Sequence, residues 1–260
     1  MKSQFGAPYV GITDFTIFEQ VRAMALAFND YKHHESNRRL HVGVMMSRKT
    51  LMGESSRYTK VFPPKESIAE IFGSDDTINC LHYADYGCDS HLFSNLIKAI
   101  RFGGTGIHAL QLDMTWPNPV TIASAVHSSG KAIEIILQIG RDAMIEIEQN
   151  PNELVRRLAS YGDVIHRVLL DVSMGSGILL NPGSTLRLMR VIRHELPNLK
   201  MVVAGGLGPN TVGIIKPIVE EFPDVSIDAQ SRLRPSGSNL DPIDWNMAST
   251  YLYEALGILK

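Results

Sequence analysis

The sequence predicts a (β/α)8 barrel, and three observations carry that prediction. Short apolar runs alternate with helical patterns eight times along 260 residues, no GxGxxG follows the first run, and the last two runs stop abruptly at Gly205-Gly206 and Gln230-Ser231. Eight repeats favour a closed barrel over an open doubly wound sheet, which shares the alternation, and the length is that of one barrel of about 250 residues. A single domain over residues 1–260 is the simplest count. The missing glycine fingerprint counts against a dinucleotide fold.

Tyr9 to Ile12 reads as the first strand, with Thr13-Asp14 as its polar end, and Ile17, Phe18, Val21, Met24, Ala25 and Phe28 recur along one face of a helix. Leu40 to Met46 is the second strand. It opens into a polar stretch, Ser47 to Lys65, carrying Arg48, Lys49, Arg57 and Lys60. Loops of that length without structure of their own are uncommon and are often binding loops or lids; the plainer alternative is a solvated excursion. Lys65 to Phe72 is a short helix, Thr77 to Tyr83 the third strand, and His91 to Phe102 a helix with Leu92, Leu96, Ile97 and Ile100 inward.

Ile107 to Leu112 is the fourth strand, ending at Asp113, with a helix over Val120 to Val126 after it. Lys131 to Gln138 is the fifth, interrupted by Glu134. A charge there is costly unless paired or solvated, which places Glu134 near a pocket or in an exposed layer. Leu154, Val155, Leu158 and Ala159 stripe the next helix. Arg167 to Asp171, Lys200 to Ala204 and Val225 to Asp228 complete the eight strands, with helices over Leu186 to Ile192 and Val212 to Val219. Trp245, Ala248, Tyr251, Leu252, Ala255 and Leu259 face inward from the closing helix.

Composition sets the partners. With 25 basic and 27 acidic residues the net charge is -2, so no bulk attraction to nucleic acid or an anionic membrane is expected. Cys80 and Cys88 lack CxxC spacing, which argues against a disulfide framework or a cysteine zinc site. The amino end shows no basic segment followed by an apolar run, and no apolar stretch reaches membrane length. The expectation is a cytoplasmic protein, monomer or homodimer, whose partner is a small phosphorylated metabolite and which uses no cofactor or metal.

Chemistry in a barrel sits at the C-terminal strand ends, here Asp14, His82, Asp113, Gln138, Asp171 and Asp228. The loops after strands seven and eight are the fold's recurrent phosphate site. Gly205 and Gly206 remove two side chains, so an anion can reach backbone N–H groups, while Gln230 and Ser231 add short donors at the first turn of a small helix. The competing view makes Gly205-Gly206 a tight turn and Ser231 a helix cap. Asp171 ends an apolar strand before Met174-Gly175-Ser176-Gly177; partial desolvation suits it to donate a proton, and a loop-capping role is the alternative. Donors around Asp228 point to a structural carboxylate, and His82 to a hydrogen-bonded interior histidine. A Schiff-base aldolase lacks its strand-end lysine. A metal-dependent epimerase built on His41, His82 and Asp171 lacks a second ligand on strand two, where Gly43 follows.

Several strand ends resemble phosphoribosylanthranilate isomerase. Val10-Gly11-Ile12-Thr13 is similar to that family's Cys-Gly-Ile-Thr, Ser56-Arg57-Tyr58 to Ser-x-Arg-Tyr, and Gln111-Leu112-Asp113 to Gln-Leu-His. Leu169-Leu170-Asp171 with Gly175-Ser176-Gly177 is similar to Leu-Leu-Asp with Gly-Thr-Gly. Ala204-Gly205-Gly206-Leu207-Gly208-Pro209 and Asp228-Ala229-Gln230-Ser231 match Ala-Gly-Gly-Leu-x-Pro and Asp-Val-Ser-Ser, and are the most specific because they recur in order at matching spacing.

The resemblance implies a barrel of the ribulose-phosphate-binding type and an Amadori rearrangement of an aminoaldose phosphate. Asp171 then protonates the ring oxygen and Arg57 holds the substrate carboxylate. Gln111, Gly175 and Gly177 contact substrate, while Gly205, Gly206, Gln230 and Ser231 cradle phosphate. Three positions depart from the pattern. Val10 stands where the family has its general-base cysteine, Asp113 replaces a histidine, and Arg232 replaces a glycine and adds a charge near the phosphate site. Losing a base removes a contribution of about 10²–10⁴-fold. Two expectations follow: an isomerase whose base is Asp113 or Asp14, or a catalytically silent relative that keeps the phosphate cup.

Overall fold

The computed structural model describes residues 6–59, 61–74, 76–87, 89–171 and 178–259. Eight parallel strands close into one barrel in sequence order: β1 (Tyr9–Thr13), β2 (Arg39–Ser47), β3 (Ile78–Ala84), β4 (Ala109–Asp113), β5 (Glu134–Ile139), β6 (Arg167–Leu170), β7 (Lys200–Val203) and β8 (Ser226–Ala229). β8 returns to β1 with Gly11 opposite Asp228. The helices are α1 (Phe18–Tyr31), α2 (Arg48–Met52), α3 (Ile68–Ile71), α4 (Leu92–Phe102), α5 (Pro119–Ser129), α6 (Arg141–Glu146), α7 (Pro151–Ala159), α8 (Pro182–Glu195), α9 (Lys216–Glu221) and α10 (Trp245–Ile258). No helix among the described residues is long and apolar enough to cross a membrane.

The strands are buried on both faces, as a parallel sheet wrapped by helices requires. Outward residues such as Val10, Ile12, Val42, Leu81 and Leu110 join the large core under the helices. Tyr9, Ile78, Cys80, Ala109, Ile136, Leu169, Val202 and Ala204 form a separate apolar cluster inside the ring. Cys88, the other cysteine, lies outside the described residues.

The ring interior also holds charge. Arg167 and Glu134 are both buried, with Nε of Arg167 2.9 Å from Oε2 of Glu134. Arg167 also donates to the Ala7 carbonyl at 2.9 Å and lies over the Tyr9 ring. Glu134 is therefore tolerated by pairing inside the ring rather than by an exposed layer.

Three helices start on the dipeptide Asn-Pro: Asn118 caps α5, Asn150 caps α7 and Asn181 caps α8, each side-chain oxygen accepting from N–H groups of the first turn. Proline at the first helical position loses only an N–H that had no partner. Asn150→Ala is expected to lower unfolding free energy by about 1 kcal/mol in urea melts; no change would mean that Pro151 alone sets the start.

Several expectations shift locally. Ile17 caps α1 and is exposed, so it lies off the buried face. Lys131 precedes β5 and turns its ammonium to the Ile100 and Gly104 carbonyls. The seventh helix begins as a 3-10 turn, Val212–Ile215, before α9. The Ser47–Lys65 stretch carries structure of its own. Ser47 caps α2, Gly53 ends it in the left-handed conformation, and Met45, Val61, Phe62 and Tyr58 pack together beneath.

Candidate active site

A cavity of about 830 Å³ opens at the C-terminal ends of the strands. The sequence places polar groups there because the last inward residue of most strands is polar. His82 comes from β3, Gln111 and Asp113 from β4, Gln138 from β5, Asp228 from β8, and Asp171 directly follows β6; all six line the cavity. Gly205, Gly206, Gln230 and Ser231 line it as well. The turns after β7 and β8 are thus brought to one wall, as expected for adjacent strands. Gly205 and Gly206 have φ of 122° and 61°, which L side chains rarely adopt, so glycine is required there whatever binds.

The floor is a network. Gln138 Oε1 accepts from Gln111 Nε2 at 2.9 Å and lies 3.1 Å from His82 Nε2. Burial pushes the His82 imidazole down to about 4, against the pull of the Asp14 and Asp171 charges, so it is neutral at pH 7. A neutral ring held by two amides orients polar groups and is a poor proton donor. Asp113 takes a hydrogen bond from the Tyr86 hydroxyl; burial, reinforced by the Asp142 charge, raises its carboxyl to about 6.

The mouth is basic. Arg48, Lys49, Arg57 and Arg141 all line it, so two residues expected to be merely solvated, Arg48 and Lys49, face the cavity. Arg57 is exposed, stacks its guanidinium 4.7 Å from the Tyr58 ring centroid and donates to the Tyr58 hydroxyl at 2.6 Å. Carboxylates line the floor, and the rim sets those four cations against Asp85 and Asp142, so an anionic group is favoured there beside the guanidinium and ammonium groups.

Five sequence expectations change here. Asp14 is not part of the lining. Its φ of 96° turns it aside, and its carboxylate is taken by the buried guanidinium of Arg234 and by Gln230 Nε2 at 3.0 Å. Gln230 consequently spends its amide on Asp14. Arg232 is exposed and outside the lining, because its backbone packs on Gly208. Gly175, Ser176 and Gly177 lie outside the described residues.

The fourth change concerns β1. Val10 is fully buried in the helix-facing core, whereas Tyr9 belongs to the inner cluster and a Cβ on Gly11 would lie 2.3 Å from Asp228 Oδ1. Alternation along the strand therefore points Tyr9, Gly11 and Thr13 into the ring and Val10 out of it. A cysteine at position 10 would meet helices, not ligand.

Asp228 also differs from expectation. Thr13 Oγ1 donates to its Oδ2 at 2.9 Å, but Oδ1 is buried without a hydrogen-bond partner among the described residues. Burial raises this carboxyl to about 7, and the nearby Asp171 and Asp14 charges push the same way. Sequence reasoning missed both Asp228's state and Arg234. The glycine at position 11, opposite an acid on β8, was the one available signal. Among the described residues no group of three or more His, Cys, Asp or Glu side chains is placed to hold a metal ion.

No family model matches the chain, and no curated protein does. Solved structures match in shape. The 3-hexulose-6-phosphate synthase of Salmonella typhimurium is similar over 95% of this chain and 99% of its own, with 12% identity and a TM-score of 0.51. Phosphonopyruvate hydrolase, in a complex with oxalate and Mg++, is similar over 85% of this chain and 74% of its own, at 12% identity and TM-score 0.52. The octameric Rubisco of Pyrococcus horikoshii, solved with a sulfate ion, is similar over 98% of this chain and 58% of its own, at 12% identity and TM-score 0.53. At that identity the likeness establishes the (β/α)8 fold and leaves the chemistry to the residues.

Proposed function

We propose that the cavity binds a small phosphorylated metabolite and that the protein isomerises a sugar phosphate of the aldose–ketose kind, with Asp171 as general acid. The observation that carries this is the convergence of Gly205, Gly206, Ser231 and Asp171 on one cavity at the strand ends. Two glycine backbones and a buried serine on one wall suit a phosphate, and loops after the last two strands hold phosphate in many barrels. The fold is shared with a hexulose-phosphate synthase and with a sulfate-bound Rubisco. Strand-end motifs resembling phosphoribosylanthranilate isomerase point to an Amadori-type rearrangement. Arg57 at the rim then takes the far anionic end of the substrate, and Gln111 a hydroxyl.

The roles follow from this reading. Phosphate on the β7 and β8 turns fixes one end of the substrate, and the rim fixes the other. The sugar then lies over Asp171, which protonates the ring oxygen and opens the ring. The second reading is a binding protein without turnover. It is favoured by β1, which offers the ring only Tyr9, Gly11 and Thr13 where that family carries its base.

One pair of variants separates these readings. By calorimetry, Ser231→Asp is expected to weaken inorganic phosphate or 2-phosphoglycolate binding at least about tenfold, roughly 1.4 kcal/mol, by setting like charge at the anion. Asp171→Asn should bind as the wild type does while losing about 10²–10⁴-fold in turnover across a panel of aldose phosphates. Tight binding with no turnover in the wild type selects the binding protein. Indifference of phosphate to Ser231→Asp removes the phosphate cup.

A further inference from the structure

We propose that Asp228 is the base of this cavity, the group that takes a proton from a bound ligand on behalf of the strand-one residue that is absent. The inference deepens the isomerase reading above and rests on it. Its foundation is steric. Gly11 has no side chain, and Asp228 Oδ1 occupies the place a Cβ would fill, 2.3 Å from it. The carboxylate thereby stands in the inward position of β1 while being carried by β8, whose Asp228 pairs in register with Gly11.

Its surroundings suit proton exchange. Asp228 is only 6% exposed yet lines the cavity, with Oδ2 fixed by Thr13 and Oδ1 left without a partner among the described residues. Oδ1 is buried beside Gly11 and His41, and a buried acceptor without a donor is costly to a fold, which favours the protonated form of this cavity-lining carboxyl. His41 Nδ1, from β2, lies 3.9 Å from Oδ1. Burial holds that imidazole near 3, so it is neutral and offers no counter-charge. Burial, and after it the Asp228 charge, raises Tyr9 and Cys80 inside the ring and Tyr251 from α10, which makes them protonated neighbours. Asp171 and Asp14 are the like charges, and Asp14 is compensated by Arg234. Among the described residues no cation faces the Asp228 carboxyl closely enough to fix it as a permanent anion, and a carboxyl poised near 7 accepts protons at neutral pH. Asp113, the alternative, is half-buried and already hydrogen-bonded to Tyr86.

Asp171 and Asp228 interact and share one proton; in the isomerisation Asp171 carries it and gives it to the ring oxygen while Asp228 is ionised, the C1–O bond breaks, and a C1=N iminium forms. The Asp228 carboxylate takes the C2 hydrogen as a proton, and the C–H electron pair becomes the C1=C2 bond as the iminium is neutralised. The proton on Asp228 passes to C1, the C2 hydroxyl releases its own, and Asp171 regains one. Atoms and charge balance with no external reductant.

Carbon NMR of aspartate carboxyls tests this without a ligand. The wild type should show one carboxyl titrating near 7. That resonance should vanish in Asp228→Asn and move to lower pH in Asp171→Asn. Absence of the resonance, or its persistence in Asp228→Asn, overturns the proposal. A second measurement uses 2-phosphoglycolate and calorimetry in buffers of different ionisation enthalpy at pH 7.5. Proton uptake on binding is expected in the wild type and not in Asp228→Asn; equal uptake in both overturns it. If the neutral titration is present but the wild type fails to bind 2-phosphoglycolate, the phosphate reading falls, while the proton-accepting state of Asp228 stands.

Discussion

Arg167→Met is expected to destabilise the protein by about 3–5 kcal/mol, because Glu134 is then left charged, buried and alone. Both partners are almost wholly shielded, at 0% and 4% side-chain exposure, so water cannot relieve the loss. Removing the arginine also frees the Ala7 carbonyl and the Tyr9 ring face. The double variant Arg167→Met with Glu134→Leu should recover most of the loss, since an apolar pair of similar volume often replaces a buried ion pair at little cost. Urea unfolding decides the matter. A single variant within about 1 kcal/mol of wild type, the range of an exposed pair, would mean that the ring interior is wetter than its packing implies.

Asp228→Asn should work in the opposite direction and make the protein more stable. The folded-state carboxyl is raised to about 7, whereas in an unfolded chain it titrates near its ordinary value of about 4. Below pH 4 both states hold the proton and the group costs nothing. As pH rises through that interval the unfolded chain releases its proton first, so wild-type stability falls until both states are ionised above pH 7. The asparagine variant escapes this loss and should gain up to about 4 kcal/mol at pH 8 and almost nothing at pH 4, from 1.36 kcal/mol per unit. His41 and His82, held near 3 and near 4 by burial, contribute the reverse slope. Their neutral forms favour the fold above pH 6.5 and lose that advantage as pH falls. Both terms are common to the two proteins, so the difference between their pH profiles isolates Asp228. A gain that does not vary with pH, or a loss at pH 8, would sink the assignment. A residue that costs stability where it is ionised is what an active site commonly retains.

The barrel was readable because each strand is a short run of Val, Ile, Leu or Met bounded by polar or small residues, and eight such runs leave few topologies open. Which side of each strand faces the ring was not. In Tyr9-Val10-Gly11-Ile12-Thr13 every residue is buried on one face or the other, so the usual alternation of apolar and polar residues carries no parity. The family resemblance drew attention to Val10, which faces the helices, and not to Gly11, which faces the ring. Strand-end acids were legible as a set, yet their states were not. Asp14 meets Arg234 from the opposite end of the chain, and Asp228 gains Thr13 beside the backbone N–H of Ala229, the Arg234 and Thr13 contacts being made by ring closure. The turns after β7 and β8 were legible because glycine pairs and short polar residues mark their ends directly. The compact form of the Ser47–Lys65 stretch was hidden by its polar composition, although Ser47 and Gly53 bracket α2 as cap and stop.

That stretch has a consequence for how such a protein can change. Part of it folds over a small apolar knot, Met45, Tyr58, Val61 and Phe62, while Leu51 alone of α2 is buried in the main core. On the proposed reading, sequence drift in Arg48, Lys49 or Arg57 would retune the grip on one end of the guest molecule, while the opposite grip is written far along the chain. New specificities could then be grafted there as a cassette above the strand ends.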